Sequence, residues 1–199
     1  LPKTAWPPTW EMGIVTSAGH SGATYAEFLA AKAAGLTHLT HFFNQMSPLH
    51  HREIGLVGAG FADNDIKIEL ICDKLHVKPD IIKIVFNTKP VDQIILITDS
   101  LLASGLPDGK YVMGGLEMFV KNREARLADG VIAGSTLVLH RAIHNMITLA
   151  KMPPETVIPM ATSTPADSVG AKGYGRIEPG ACGVLTLMDA GWNLAGVTA

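Results

Sequence analysis

The sequence has few charged residues, few aromatic residues and only two cysteines. Charged residues make up 17% of its 199 residues, aromatic residues make up 6%, and the formal net charge is −2. This balance provides no basic field for nucleic acid or an anionic membrane, so we expect neither partner. Cys72 and Cys182 form no metal-binding spacing and no disulfide framework, which favours a reducing, cytoplasmic setting.

Long apolar runs are also missing from the sequence. No stretch approaches the length of a membrane span, and the opening Leu1-Pro2-Lys3 lacks the charged-then-apolar pattern of a signal peptide. Hydrophobic residues nevertheless account for 47% of the chain. This content excludes a disordered chain and allows one sizeable core.

Four apolar, β-branched runs each end near a side chain that can bind a metal or move a proton. Parallel strands need long crossovers, usually helices, so their carboxyl ends recur every few tens of residues at one rim. In a (β/α) barrel this rim forms the active site. The sequence therefore predicts an α/β fold of the TIM-barrel type, with three histidines and an aspartate converging at one rim. The runs are 14–19, 36–40, 66–72 and 94–98, and the side chains that follow them are His20, His41, Asp73 with His76, and Asp99.

Helices are predicted between and after these strands. A capping box at Thr24–Glu27 begins one helix, and another begins near Pro79. The segment 105–120 is predicted to form a hairpin. Residues 133–136 are expected to cap a long helix. We expect short helices at 154–161 and after Pro165, followed by a strand at 184–188.

Several of these residues also have a purely structural interpretation. A histidine at a strand end is more often structural than a ligand, and Asp99 could simply cap a turn. We interpret His38 as barrel packing. His140 and His144 have metal-like spacing but are expected to be surface or core residues. Ser135 lies outside any G-x-S-x-G pattern, so a serine nucleophile is not expected.

Six motifs together carry a family resemblance. The chain resembles the N-acetylglucosamine-6-phosphate deacetylases of the amidohydrolase superfamily over nearly its whole length. The resemblance implies the C-terminal half of a TIM barrel, strands 5 to 8. Residues 1–175 would form the partial catalytic barrel, and residues 176–199 would return toward a small β-sandwich domain. The motifs are 19–24, 40–46, 51–58, 73–77, 98–99 and 133–135.

The resemblance also implies a metal site and its ligands. One divalent metal, most commonly Zn²⁺, would be bound by His20 and His41. The family's carboxylate ligand comes from an earlier strand that has no counterpart in this chain. Asp99 would act first as general base and then as general acid.

A larger set of residues falls at the family's substrate-binding positions. Arg52 would reach into the neighbouring subunit of a homodimer and bind the substrate phosphate. Gln45 stands where the family usually has alanine, and Lys74 where it usually has glycine. The whole set is Asn44, Gln45, Arg52, Asp73, Lys74, Leu75, His76, Ile132, Ala133 and Gly134.

The implied reaction removes the acetyl group from N-acetyl-D-glucosamine 6-phosphate, giving D-glucosamine 6-phosphate and acetate. One alternative is another amidohydrolase, such as a deaminase or a cyclic-amide hydrolase. Another is an inactive partial barrel that needs a partner, because four strands cannot close a barrel that normally has eight. On that ground we expect the isolated chain to pair with a second copy or to aggregate.

Overall fold

The structure, a computed structural model, describes residues 9–198. After a single 3-10 turn at Thr9–Met12, the chain alternates parallel strands with helices. Strands β1 to β4 pair in sequence order, each parallel to the next. The predicted α/β fold and its four strands are confirmed, as an open sheet. These elements are β1 (Thr16–Ala18), α1 (Tyr25–Ala33), β2 (Leu36–Leu39), α2 (Gly55–Ala62), β3 (Lys67–Ile71), α3 (Pro79–Thr88) and β4 (Ile94–Ile97).

The two faces of this sheet differ in polarity because strand side chains alternate. Leu39, Ile68 and Ile94 are fully buried in one core cluster with Phe28 of α1 and Val85 of α3. Positions offset by one residue point to the opposite face of the sheet. That face is more polar and includes Ser17, His38, Thr40, Lys67 and Glu69.

An antiparallel sheet follows β4 and confirms the predicted hairpin. Its four strands pair consecutively around a small core of Met118, Val120 and Ala125. A bridge between Ser100 and Ser135 joins the end of this sheet to the residues that follow β4. The strands are β5 (Gly109–Met113), β6 (Leu116–Lys121), β7 (Glu124–Leu127) and β8 (Ile132–Gly134).

Three helices then pack against β4, and a two-stranded hairpin follows them. No helix within 9–198 is long and apolar enough to span a membrane. The division at residue 175 into a barrel and a return segment stays a prediction. The elements are α4 (Leu139–Thr148), α5 (Pro154–Met160), α6 (Ser163–Ser168), β9 (Thr186–Met188) and β10 (Leu194–Val197).

Two predicted helix starts are wrong. Residues 133–136 do not cap α4, because Ala133 and Gly134 belong to β8 and the N-cap is Val138, which makes no side-chain capping bond. The helix α6 begins at Ser163, ahead of Pro165. Proline is tolerated in the first turn, where backbone N–H groups have no intrahelical partner.

Candidate active site at the strand ends

Strained backbone marks the carboxyl end of every parallel strand. His20, His41, Lys74 and Asp99 have φ angles of 48°, 36°, 75° and 47°. Residues other than glycine rarely adopt this left-handed conformation, which costs on the order of 1–3 kcal/mol and tends to cluster at functional sites. Three of these four residues were singled out in the sequence as ligands or proton carriers.

The structure brings His20 and His41 together. Their ring centroids lie 4.7 Å apart with an interplanar angle of 84°. His41 is buried, and its Nδ1 atom has no hydrogen-bond partner among the described residues. A buried nitrogen without a partner loses its hydration at a cost, so it suits a bound ligand or metal.

Gly19 provides the space that His41 occupies. A Cβ atom at this position would lie 2.3 Å from Cγ2 of Thr40 and 3.1 Å from Cε1 of His41. Thr40 in turn donates its hydroxyl proton to Glu69 at 2.6 Å. The backbone of β1, Thr40 and the imidazole are therefore tightly packed at this rim.

Two imidazoles are only part of a metal site. Among residues 9–198, no group of three His, Cys, Asp or Glu side chains is placed to hold a metal ion. The side chains predicted to converge at the rim therefore do not form a complete set of metal ligands among the described residues. The two histidines fit a zinc-type ion as nitrogen ligands, and a third ligand is required in addition.

His76 is oriented by Asp73. Its Nδ1 atom lies 2.7 Å from Oδ2 of Asp73, whose Oδ1 accepts the backbone N–H groups of Leu75 and His76 at 2.8 Å. Burial acts to raise the pKa of Asp73, but these hydrogen bonds from His76 and Leu75 outweigh it and lower that pKa. The adjacent Cys72 is fully buried, and this burial raises the pKa of its thiol, so it remains protonated.

The loop after β2 contains two of the predicted substrate contacts. The side-chain amide of Asn44 donates to the carbonyl oxygens of His41 and Phe42 at 3.1 and 3.3 Å. Both of its N–H groups are therefore engaged, and Asn44 braces this strained loop. The Gln45 carbonyl accepts the Ser21 N–H at 2.9 Å, so Gln45 lies beside His20 in an open groove.

The segment 132–134 is positioned next to Asp99. Ser135 N donates to the Asp99 carbonyl at 3.4 Å, and Leu101 N donates to the Ser135 carbonyl at 2.8 Å. Gly134 has φ 142°, and a Cβ atom there would lie 2.8 Å from the Leu101 side chain. This close approach requires glycine, and it fixes the end of β8 against the exposed Asp99.

Arg52 lies on an exposed loop closed by a bridge between His50 and Glu53. Its Nη1 atom lies 2.7 Å from Nε2 of His51, and none of the described acidic residues forms an ion pair with it. The Glu53 carboxylate anchors the loop by accepting the N–H of Gly55 at 3.1 Å. The guanidinium is thus held on an ordered loop with its charge available to an anion.

Sequence reasoning gave no supporting role to Gly19, Thr40 or Glu69, although Gly19 and Thr40 lie within two of the motifs. The glycine directly before a strand-end histidine was a usable signal. Thr40 and Glu69 contact each other across β2 and β3, and their contact depends on a strand register that no local pattern gives.

Comparisons with known proteins identify the family. N-acetylgalactosamine-6-phosphate deacetylase of Escherichia coli O157:H7 is 40% identical over 177 residues, which are 88% of this chain and 47% of that protein. N-acetylglucosamine-6-phosphate deacetylase of Bacillus subtilis is 43% identical over 133 residues, covering 67% of this chain and 34% of the relative. A putative N-acetylgalactosamine-6-phosphate deacetylase of Escherichia coli K12 is 39% identical over 155 residues, covering 77% and 92%. No protein-family model matches the chain.

Solved structures agree with these relatives. The chain matches N-acetylglucosamine-6-phosphate deacetylase of Thermotoga maritima with a TM-score of 0.89 at 38% identity, covering 95% of this chain and 52% of that one. A Mycobacterium smegmatis deacetylase variant in complex with N-acetyl-D-glucosamine-6-phosphate matches with a TM-score of 0.89 at 31% identity, covering 95% and 51%. The chain spans about half the length of most of these proteins and nearly all of the K12 relative. By sequence and by fold, the chain belongs to the N-acetylglucosamine-6-phosphate deacetylase family.

Proposed function

We propose that the protein carrying this chain hydrolyses the acetamide of an N-acetylated amino-sugar 6-phosphate, releasing acetate and the free amine. The observation that supports this most is the pairing of His20 and His41 at a strained strand rim in a member of this family. Relatives are named for both the glucosamine and the galactosamine substrates. The substrate we propose is N-acetyl-D-glucosamine 6-phosphate. The enzyme would act in amino-sugar catabolism in the cytoplasm.

His20 and His41 would hold one divalent metal, which we propose to be Zn²⁺, together with a carboxylate from outside the described residues. When bound, such an ion polarises a carbonyl group and activates water near neutral pH. The tight packing of Gly19 against His41 fixes one of the two imidazoles before any ion binds. Preorganised ligands of this kind favour binding because less freedom is lost.

Asp99 would carry the proton. Its carboxyl group would accept a proton from the attacking water and return it to the departing amine nitrogen, which would otherwise leave as an unstable anion. The left-handed backbone at Asp99 and its contact with Ser135 hold the residue at the rim. The exposed position of this carboxylate suits a group that exchanges protons with the substrate.

His76 would orient the sugar. Because Nδ1 is engaged with Asp73, Nε2 is the nitrogen left to contact the substrate. In the neutral imidazole this atom accepts a hydrogen bond, so it would bind a sugar hydroxyl. A contact with the acetyl oxygen would require the protonated form. Leu75, Lys74 and the segment 132–134 would line the same region.

Arg52 would bind the substrate phosphate in the neighbouring subunit of a homodimer. A guanidinium forms two parallel hydrogen bonds with a phosphate, and this one lacks a competing carboxylate in the described chain. Loss of such a charge-assisted contact costs on the order of 1.5–3 kcal/mol. Arg52→Ala should therefore raise KM for the phosphorylated sugar and leave KM for the unphosphorylated sugar nearly unchanged.

The subunit exchange has its own experiment. Mixing Arg52→Ala protein with Asp99→Ala protein should restore part of the activity, because a hybrid dimer contains one intact site. No recovery in hybrids that demonstrably form would assign Arg52 to its own subunit or to no site.

The proposal as a whole is tested with Asp99→Asn. Replacing the proton carrier by an isosteric amide should reduce acetate release by at least about a hundredfold, within the range general acid–base catalysis contributes. Thermal unfolding should be unchanged, since Asp99 is exposed. Full activity in the Asn variant would exclude Asp99 as general base.

A further inference from the structure

A second cavity lies behind the Asp73–His76 loop. Its volume is about 590 Å³, within the usual range for small-molecule sites. The cavity is lined by the 73–75 segment, the turn between β6 and β7, and one face of α4. His20, His41 and Asp99 are not among its lining residues.

Cationic side chains outnumber acidic ones in this cavity, by four to three. Lys74, Lys78, Arg123 and Arg141 line it, and none of them forms an ion pair with an acidic side chain in residues 9–198. Burial lowers the pKa of His140, and the nearby charges of Arg141 and Arg123 lower it further. Both arginines therefore lie close enough to His140 to disfavour its protonated form.

The acidic residues of the cavity are engaged elsewhere. Asp73 pairs with His76, and Glu124 forms an ion pair with Arg126 at 3.0 Å. Asp108 accepts the backbone N–H of Asn122 at 2.9 Å. Glu124 is therefore compensated by Arg126, whereas Asp73 and Asp108 keep their negative charge. Four cationic side chains thus face two uncompensated carboxylates, and the cavity keeps a net positive charge.

Two of these cations occupy positions that favour glycine. Lys74 has φ 75° and Arg123 has φ 66°. Arg123 is the second residue of the two-residue turn between β6 and β7, where Asn-Gly is preferred. The turn is fixed from both sides, since Asp108 binds Asn122 and Thr136 donates to the Arg123 carbonyl at 2.6 Å. Lys74 and Arg123 therefore both have strained backbone, and both line this cavity.

The amino end of α4 adds to the positive potential. Val138, the N-cap, makes no side-chain capping bond, and Val138, His140 and Arg141 all line the cavity. The first N–H groups of a helix have no intrahelical partner and carry partial positive charge. They reinforce the arginines at the position where an anion would bind.

We propose that this cavity is a second anion site, which binds the phosphate group of a small phosphorylated metabolite. Lys74, Arg123 and Arg141 supply the charge, and the cavity leaves room for a sugar-sized body. The cavity shares residues 73–75 with the substrate-lining set of the proposed function, but Arg52, His20, His41 and Asp99 are not among its lining residues. Its ligand is either free phosphate or a sugar phosphate, which share the group that is recognised.

The test is isothermal titration calorimetry of the purified protein with inorganic phosphate and with glucose 6-phosphate. Arg123→Gly should weaken binding at least about tenfold and should raise Tm, because glycine relieves the backbone strain. Arg141→Ala should weaken binding without that gain in Tm. Tighter binding of glucose 6-phosphate than of phosphate would identify a sugar phosphate as the ligand; equal affinities would identify phosphate alone.

Two control variants distinguish binding at this cavity from relief of backbone strain and from binding at Arg52. Lys151→Gly removes a cation with φ 61° outside the cavity, so it should raise Tm and leave binding unchanged. Arg52→Ala should retain binding, because the proposed site does not use it. No binding of either probe to the unmodified protein, unchanged binding in Arg123→Gly, or loss of binding in Arg52→Ala would overturn the proposal.

Discussion

At the scale of single residues, the absence of a Cβ atom at Gly19 leaves room for His41 in the candidate metal site. Gly19→Ala would place a methyl group 2.3 Å from Thr40 Cγ2 and 3.1 Å from His41 Cε1. We expect His41 to be displaced, zinc content to fall well below that of the unmodified protein, and acetate release to fall with it. Gly22→Ala is the matched control, since a Cβ atom there meets nothing within 4 Å. Equal metal contents in the two variants would contradict the role of Gly19.

The buried Lys89 should make the free energy of unfolding depend on pH. Its side chain is buried, and Nζ donates to the carbonyl oxygen of Asp63. Burial lowers the pKa of Lys89 from 10.5 to about 8, although Asp63 and Asp65 partly offset it. Between these two values the folded protein has released a proton that the unfolded chain still holds, so stability rises with pH.

The size of this effect follows from the pKa difference. Relative to Lys89→Met, the unmodified protein should gain about 3 kcal/mol of unfolding free energy between pH 8 and 10.5, with no relative change below pH 8. Lys83→Met, at an exposed position in α3, should show no such window. Denaturant unfolding across this pH range measures both, and parallel curves for Lys89→Met and the unmodified protein would refute the assignment.

At the scale of elements, β8 holds the loop that carries Asp99. Gly134→Ala would place a Cβ atom 2.8 Å from Leu101 and oppose the backbone conformation at φ 142°. Since displacements of about 1 Å can cost about a hundredfold in rate, kcat should fall at least tenfold. Gly109→Ala in β5 meets only ordinary contacts beyond 3.4 Å and should leave kcat unchanged. A normal kcat in Gly134→Ala would show that β8 does not position Asp99.

The predictability of the elements depended on local signals. Strands β2, β3 and β4 are largely buried apolar runs, β1 is short and partly exposed, and the capping box at Thr24 and Glu27 is present as predicted. Helix α2 escaped prediction because three glycines in eight residues oppose a helix. A Cβ atom at Gly60 would lie 2.5 Å from the Phe42 ring, so close packing selects these glycines. The start of α4 was misplaced because Ser135 pairs with the distant residue Ser100.

At the scale of the whole molecule, the parallel sheet has two open edges. Among residues 9–198, strand β1 pairs only with β2, and β4 pairs only with β3. Ile14 and Val15, which lead into β1, are 48% and 43% exposed. Open edges with apolar neighbours favour association. We expect the 199-residue chain to form dimers or larger species in light scattering at micromolar concentration, and a fully active monomer with sharp unfolding would contradict this expectation.

Acetate release tests the central claim most directly. The protein carrying this chain should release acetate from N-acetyl-D-glucosamine 6-phosphate with a kcat/KM at least about tenfold above that for the unphosphorylated sugar, since the lost phosphate contact is worth about 1.5–3 kcal/mol. Assaying N-acetyl-D-galactosamine 6-phosphate in the same way measures the specificity for the sugar epimer. A zinc-loaded protein that releases no acetate from either phosphorylated sugar, or that releases ammonia instead, would contradict the proposed deacetylation.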